Sequence, residues 1–147
     1  MEWNNKYIYP KSTRSIVDGS RHYSVNEERL PSVTTILKAT ESEEKKASLQ
    51  AWKQRVGHKQ AAIITQEASS RGSSMHEYLE KFLLGKLNLD LLGDNSKERM
   101  MADQIIDNGL RNKLDEIWGC EATLYYPGKY AGAADCVGVY ENKETII

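Results

Sequence analysis

Four side chains in this sequence have the types and the placing of a site for a divalent cation. His76 and Glu80 lie four residues apart in a segment of helical periodicity, so they project from one face of the predicted helix. Asp135 lies in a strand-like run of small residues, and Glu121 lies in the strand predicted before it. Imidazole and carboxylate groups bind Mg²⁺ or Mn²⁺, which activate water against phosphodiesters. The pattern therefore indicates a candidate site for hydrolytic chemistry.

Each of these residues also has an ordinary interpretation. A histidine in a helix that carries Met75 and Leu79 is more often a solvated or hydrogen-bonded residue than a ligand, and Glu80 has the character of a surface acid. Asp135 favours the metal site, because an acid among small apolar residues needs a partner if it is buried. Glu121 either orients a ligand or faces water.

Length and composition limit the class of protein. The 147 residues suffice for one domain with a single core. No apolar run approaches the roughly 18 residues of a membrane span, and the first residues lack a secretion signal, so we expect an intracellular protein. Cys120 and Cys136 have no zinc-finger spacing and are expected to pack as small thiols. A net charge of -1 confines any DNA contact to a local patch.

Cap and turn signals predict helices in the middle of the chain. Residues 1–30 form an arm or a hairpin turning at Asp18-Gly19. Ser32 caps a short helix with three apolar residues facing inward, and Thr40 with Glu43 caps a second helix that Gly57 ends. The inward residues of the short helix are Val33, Ile36 and Leu37. The stripe of the second helix consists of Leu49, Trp52 and Val56.

A long helix is predicted from Lys59 to Leu84, with Gly72 in its middle, where close packing or a nearby ligand would explain the glycine. After a connection at 87–94, Asn95 with Glu98 caps a helix that runs to Trp118. From 119 to 147 the period changes to two, which predicts an antiparallel meander with turns at 127–129 and 141–143. We therefore expect an α+β fold in one domain: an arm (1–30), helices (31–118) and a β-meander (119–147).

Five short segments, in this order, resemble the PD-(D/E)XK nuclease superfamily. Within it the chain is most similar to RecB-like exonucleases, especially the mitochondrial genome maintenance exonuclease group and its phage relatives. The segments are Leu30 to Leu37, Trp52-Lys53-Gln54-Arg55, Arg71 to Glu80, Glu121 with Leu124-Tyr125, and Ala131 to Val137.

The resemblance implies a hydrolase that digests DNA from its ends and acts in DNA repair and recombination. His76 and Asp135 match the residues that bind Mg²⁺ or Mn²⁺, and Glu80 and Glu121 match supporting acids. Ser32 matches a position near the DNA path. Arg55 and Arg71 are further candidates for phosphate contacts, and Gly72 leaves room for a substrate backbone. The family suggests the cytoplasm of a bacterial or phage-infected cell.

One element of the family pattern does not occur in these residues. The family carries an acid-x-Lys motif on the strand after Asp135, whereas the only such triplet after Asp135 in these residues, Glu141-Asn142-Lys143, follows it closely and falls at a predicted turn. We therefore expect a truncated nuclease domain with an incomplete restriction-endonuclease-like core, a weakly held cation and little activity. A strand edge near Ile147 is expected to be open to a second copy, which predicts a homo-oligomer. The alternatives are a non-catalytic module that binds DNA or a protein, and a purely structural protein.

Overall fold

The computed structural model describes residues 1–86 and 95–147. These residues form two compact units, the first from residues 1–41 and 114–147 and the second from residues 42–113. The first unit contains β1 (Glu2–Trp3), β2 (Ser12–Val17), β3 (Ser20–Val25), β4 (Glu28–Pro31), α1 (Val33–Ala39), and, after the second unit, β5 (Leu114–Tyr126), β6 (Tyr130–Tyr140) and β7 (Lys143–Ile146). The second unit contains α2 (Glu43–Val56), α3 (His58–Leu83), α4 (Lys97–Ile105) and a π-helical turn (Ile106–Leu110). The predicted α+β character is confirmed.

The strands of the first unit form two sheets. The larger has the order β1-β5-β6-β7, and the three strands that follow one another in sequence are antiparallel, which confirms the predicted meander. Strand β1 pairs parallel with β5, a long-range pairing that the sequence did not predict. Strand β7 lies at the edge of this sheet. Oligomerisation along that edge stays a prediction.

The smaller sheet has the order β2-β3-β4 and confirms the predicted hairpin. Asp18 and Gly19 have φ of 50° and 77°, so both lie in the left-handed region that a tight two-residue hairpin turn requires. Asn26 and Glu27 repeat this arrangement with φ of 47° and 67° and lead into β4, which the sequence did not predict. Glutamate is rare in this conformation, which explains why the second turn was missed.

Helix caps agree with the sequence at two positions and differ by one or two residues at two others. Ser32 caps α1 as predicted, and Gly57, with φ of 89°, ends α2 as predicted. The cap of α2 is Ser42 rather than Thr40, and the cap of α4 is Ser96 rather than Asn95. Both differences favour a serine hydroxyl, which bonds to the backbone N–H three residues later.

The predicted inward face of α1 is wrong, and that of α2 is only partly covered, with Trp52 and Val56 half-buried and Leu49 exposed. No residue of α1 or α2 is buried. Leu37 is 63% exposed, and Val33, Ile36 and Leu49 are also exposed. Helix α1 has only seven residues. It contacts β3 of the smaller sheet and β6 of the larger sheet, and none of its side chains is buried.

Residues 114–118 form the start of β5 instead of the end of a helix. Two register shifts in the β5–β6 pairing, between Leu114 and Glu116 and between Ile117 and Gly119, break the alternation of the strand. Leu114 and Ile117 are consequently both buried although they lie three residues apart, a spacing that resembles a helix. The boundary between helices and meander therefore falls at 113/114, before the predicted 118/119.

The core of the larger sheet contains Trp118, Ala122 and Val137, against which Tyr9 packs. The Lys6 ammonium lies 3.9 Å from the centroid of the Trp118 ring and also pairs with Glu144 at 3.1 Å. These contacts attach the segment after β1 to the sheet.

Helix α3 confirms the predicted long helix within one residue at each end. A Cβ added at Gly72 would meet no atom within 4 Å, so close packing does not explain this glycine. The predicted connection at 87–94 lies outside the described residues. Where the structure describes the chain, no helix is both long and apolar enough to cross a membrane.

Candidate functional site

Asp135 lies on β6, the strand between β5 and β7 in the larger sheet. Its side chain is exposed, so the argument that burial would require this acid to have a partner does not apply: in a strand with only one fully covered face, an acid among alanines points to the open side. Asp135 lines an open cavity of about 650 Å³ that lies entirely within the first unit. The carboxylate is therefore accessible to a solute.

Glu121 lies on β5 at the position across from Asp135. The flanking pairs in the register are Cys120 with Cys136 and Ala122 with Ala134, which leaves Glu121 and Asp135 as the intervening pair. Glu121 is exposed and has φ of 50° within the strand. Like charges across a strand pair destabilise it unless water or a cation separates them. Two accessible carboxylates on adjacent strands chemically suit Mg²⁺ or Mn²⁺, which prefer oxygen ligands.

His76 and Glu80 belong to the second unit. Both lie on α3, four residues apart on one helix face, with His76 exposed and Glu80 partly buried. Asp135 belongs to the first unit, so the convergence of His76 and Asp135 on one cation stays a prediction. Across residues 1–86 and 95–147, no three His, Cys, Asp or Glu side chains form a group that could hold a metal ion.

Two roles were predicted for Ser32, a helix cap and a position near the DNA path, and the structure bears on the first. Its side chain is 2% exposed, and its hydroxyl oxygen accepts a hydrogen bond of 3.0 Å from the Thr35 backbone N–H. The hydroxyls of Thr34 and Thr35 lie 2.9 Å from it. Ser32 also lines the cavity beside Asp135. Its hydroxyl is engaged in capping α1, and its contact with DNA stays a prediction.

The other predicted DNA contacts lie in the second unit. Arg55 is exposed near the end of α2, and Arg71 and Gly72 lie in the middle of α3. Arg71 lines a shallow surface pocket together with Lys97 of α4. These positions are compatible with phosphate contacts, which stay predictions.

Aromatic residues form much of the cavity wall, and the sequence analysis did not identify them as functional. Tyr126 and Tyr130 flank the β5–β6 turn and pair directly in the register. Their rings stack with centroids 6.0 Å apart and an interplanar angle of 28°, yet Tyr126 is 57% exposed and Tyr130 43% exposed. Tyr23, Tyr125 and Arg21 also line this cavity. The signal in the sequence was the pair of tyrosines on either side of Pro127-Gly128-Lys129.

Electrostatic shifts occur at two groups of the larger sheet. Burial raises the pKa of the Cys136 thiol to about 11, and the neighbouring Asp135 carboxylate adds to the shift. Hydrogen bonds from Trp118 Nε1 at 2.8 Å and from Asn4 Nδ2 at 3.2 Å lower the pKa of the Glu116 carboxyl. Both hydrogen bonds help to hold β5 and the residue that follows β1 in place. Neither group lines the cavity beside Asp135.

Comparisons of the chain with protein-family models, with curated proteins and with solved structures return no match. The resemblance to the PD-(D/E)XK nucleases therefore rests on the five segments quoted above.

Proposed function

We propose that this chain carries the cation-binding part of a DNA exonuclease that hydrolyses phosphodiester bonds from DNA ends. The observation that supports the proposal most is the position of Asp135, accessible at the wall of an open cavity with Glu121 across from it. Asp135 and His76 would hold the cation, and Glu80 and Glu121 would orient them. When bound, Mg²⁺ or Mn²⁺ neutralises phosphate charge and lowers the pKa of its water.

The register between β6 and β7 supports the same proposal. The Ile147 N–H donates to the Cys136 carbonyl at 2.8 Å, and the Cys136 N–H donates to the Ile147 carbonyl at 3.0 Å. A residue that followed Ile147 in this register would lie opposite Asp135. An acid-x-Lys motif there would bring a second carboxylate and an ammonium to the cavity, as the resemblance requires.

The triplet Glu141-Asn142-Lys143 is poorly placed to replace that motif. Glu141 and Asn142 form the turn between β6 and β7, with φ of 47° and 63°. Lys143 pairs with Tyr140, five residues along β6 from Asp135, which corresponds to roughly 16 Å at the usual rise of a strand. We therefore expect the 147 residues alone to show little nuclease activity.

Cation binding tests the proposal independently of turnover. Titration calorimetry with Mn²⁺ should show weak binding that Asp135→Asn and His76→Ala each reduce. Asp18→Asn is the matched control, because Asp18 lies in a hairpin turn and does not line the cavity beside Asp135, and asparagine adopts the same backbone conformation readily. If Asp135→Asn and His76→Ala both bind Mn²⁺ as tightly as the parent chain, the shared site is rejected.

Cleavage is measured as release of acid-soluble nucleotides from linear DNA with Mg²⁺ or Mn²⁺. The 147-residue chain should give background rates. A chain lengthened by the residues that its gene encodes after the Ile147 codon should cleave if they contain Asp-x-Lys, and Asp135→Asn should abolish that cleavage. Strong cleavage by the 147 residues themselves, lost in Asp135→Asn, would contradict the expected need for the added motif.

The second candidate is a module that binds DNA or a protein without cleaving it. The turn position of Glu141-Asn142-Lys143 favours it, because no acid-x-Lys triplet after Asp135 then reaches the cavity. A stop codon directly after Ile147 in the native gene, together with DNA binding in EDTA, would favour this candidate over the exonuclease.

A further inference from the structure

We infer that the cavity beside Asp135 is the base-stacking end of a groove that binds an unpaired DNA strand. The bases would stack on Tyr126 and Tyr130, and the phosphates would lie along Arg21 and Lys38. The inference deepens the proposed function and rests on it for the choice of DNA as the ligand.

The first observation is the aromatic end of the groove, here called the tyrosine cavity and formed by Tyr23, Tyr125, Tyr126 and Tyr130. Tyr126 and Tyr130 stack on each other, yet about half of the surface of each residue stays exposed. An exposed tyrosine face provides a stacking surface for a base of any sequence. The volume of about 650 Å³ accommodates a nucleotide.

The second observation is a neighbouring surface pocket of about 530 Å³, here called the basic pocket. Arg21 and Thr34 line both this pocket and the tyrosine cavity, so the two are contiguous. Lys38 also lines the basic pocket, and none of the described residues that line it is an acid. Thr34, Thr35 and Ser20 add polar groups of the kind that contact phosphate oxygens.

The distribution of charge fits a nucleic-acid strand. Positive groups lie at the basic pocket, and Asp135 is the single acid that lines the tyrosine cavity within residues 1–86 and 95–147. In the proposed function, Asp135 holds a cation and so does not repel the phosphate there. A strand lying with its bases on the tyrosines and its phosphates at Arg21 would pass directly over this carboxylate.

The geometry favours an unpaired strand over a duplex. A paired base buries both of its faces in the stack, whereas an unpaired base exposes them to an aromatic side chain. The tyrosine pair lies at the tip of the β5–β6 hairpin, where an end of a strand can reach it.

The test is fluorescence anisotropy of a fluorescein-labelled oligothymidylate of about a dozen nucleotides in EDTA, with Asp135→Asn in every chain whose binding is measured, so that neither cleavage nor an uncompensated carboxylate affects the result. The double variant Tyr126→Ala/Tyr130→Ala should weaken binding about tenfold or more, given the usual worth of base stacking. The conservative variant Tyr126→Phe/Tyr130→Phe keeps the rings and should bind within about twofold of the parent chain. Circular dichroism confirms that both variants fold, which the exposure of the two rings predicts.

The charge contribution is tested with Arg21→Gln against Arg14→Gln. Arg14 is exposed on β2 and lines neither pocket, so it is the matched control. Arg21→Gln should weaken binding and lower the slope of log affinity against log salt by about one, whereas Arg14→Gln should change neither.

The inference is overturned if the parent chain does not bind the oligonucleotide, if it binds duplex DNA or RNA more tightly, or if the alanine and phenylalanine variants bind alike. Its failure is separable from that of the proposed function. Binding that depends on the tyrosines without cleavage by any lengthened chain rejects the exonuclease alone. Cleavage that the alanine variant leaves unchanged rejects the groove alone.

Discussion

Replacement of Ser32 by alanine tests whether this residue serves the fold or the DNA path. The Ser32 hydroxyl accepts from the Thr35 N–H at 3.0 Å and lies 2.9 Å from the hydroxyls of Thr34 and Thr35. Loss of an N-cap costs about 1 kcal/mol, and the Ser32 hydroxyl, in a residue 2% exposed, also bonds to two threonine hydroxyls, of which that of the half-buried Thr35 is poorly placed to find water instead. We expect a loss of about 2 kcal/mol in the free energy of unfolding. For a chain of this size that corresponds to a fall of roughly 4–8 °C in Tm.

The matched control is Ser42→Ala at the start of α2. Ser42 also caps a helix, but through one hydrogen bond of 3.3 Å to the Lys45 N–H at an exposed site. Water can replace that bond, so the expected loss is about 0.5 kcal/mol, near the lower limit for caps. Urea unfolding followed by circular dichroism measures both variants.

The two roles of Ser32 lead to different outcomes. If Ser32 only caps α1, the alanine variant loses stability while its affinity for the oligonucleotide, measured well below the unfolding transition, stays within about twofold. The capping argument is refuted if Ser32→Ala is as stable as the parent chain or loses no more than Ser42→Ala. A tenfold loss of affinity at unchanged stability would instead identify a direct DNA contact.

Four further predictions concern backbone packing and thiol chemistry. Gly138→Ala should destabilise the chain by about 3 kcal/mol or prevent folding, because the added Cβ would overlap the Glu116 carbonyl oxygen. Urea unfolding measures the loss, and expression yield is the second readout if the variant does not fold. Gly72→Ala should instead raise the free energy of unfolding by roughly 0.5–1 kcal/mol because α3 leaves open space at that position, and a loss would contradict it. Iodoacetamide should alkylate Cys120 well before the buried Cys136, as mass spectrometry of peptides would show. Because the pKa of Cys136 is raised from 9.0 to about 11, its unfolded thiol ionises first, so stability should fall as pH rises from about 9 towards 11. Cys136→Ala should reduce this fall, and the remainder comes from Tyr9 and Lys6, whose pKa values are also raised.

Features that depend on a few neighbouring residues could be predicted from the sequence. The hairpin at Asp18-Gly19, the cap at Ser32 and the extent of α3 each follow from local backbone preferences or from a long periodic pattern. The start of β5 could not be predicted in the same way. Its two register shifts give Leu114 and Ile117 the spacing of a helix, and only pairing with β6 makes that stretch a strand.

The same distinction, between features set by neighbouring residues and features set by the tertiary structure, holds for the candidate site. Local pattern alone identified His76 and Glu80 as neighbours on one helix face and placed Asp135 in a meander, because helix and strand periods are properties of consecutive residues. The tertiary structure decided three further features: the exposure of Asp135, its place across from Glu121, and the cavity that it shares with Arg21 and the Tyr126–Tyr130 stack. Strand pairing brings together residues more than a hundred positions apart, and no local preference of the chain encodes which of them will share a surface.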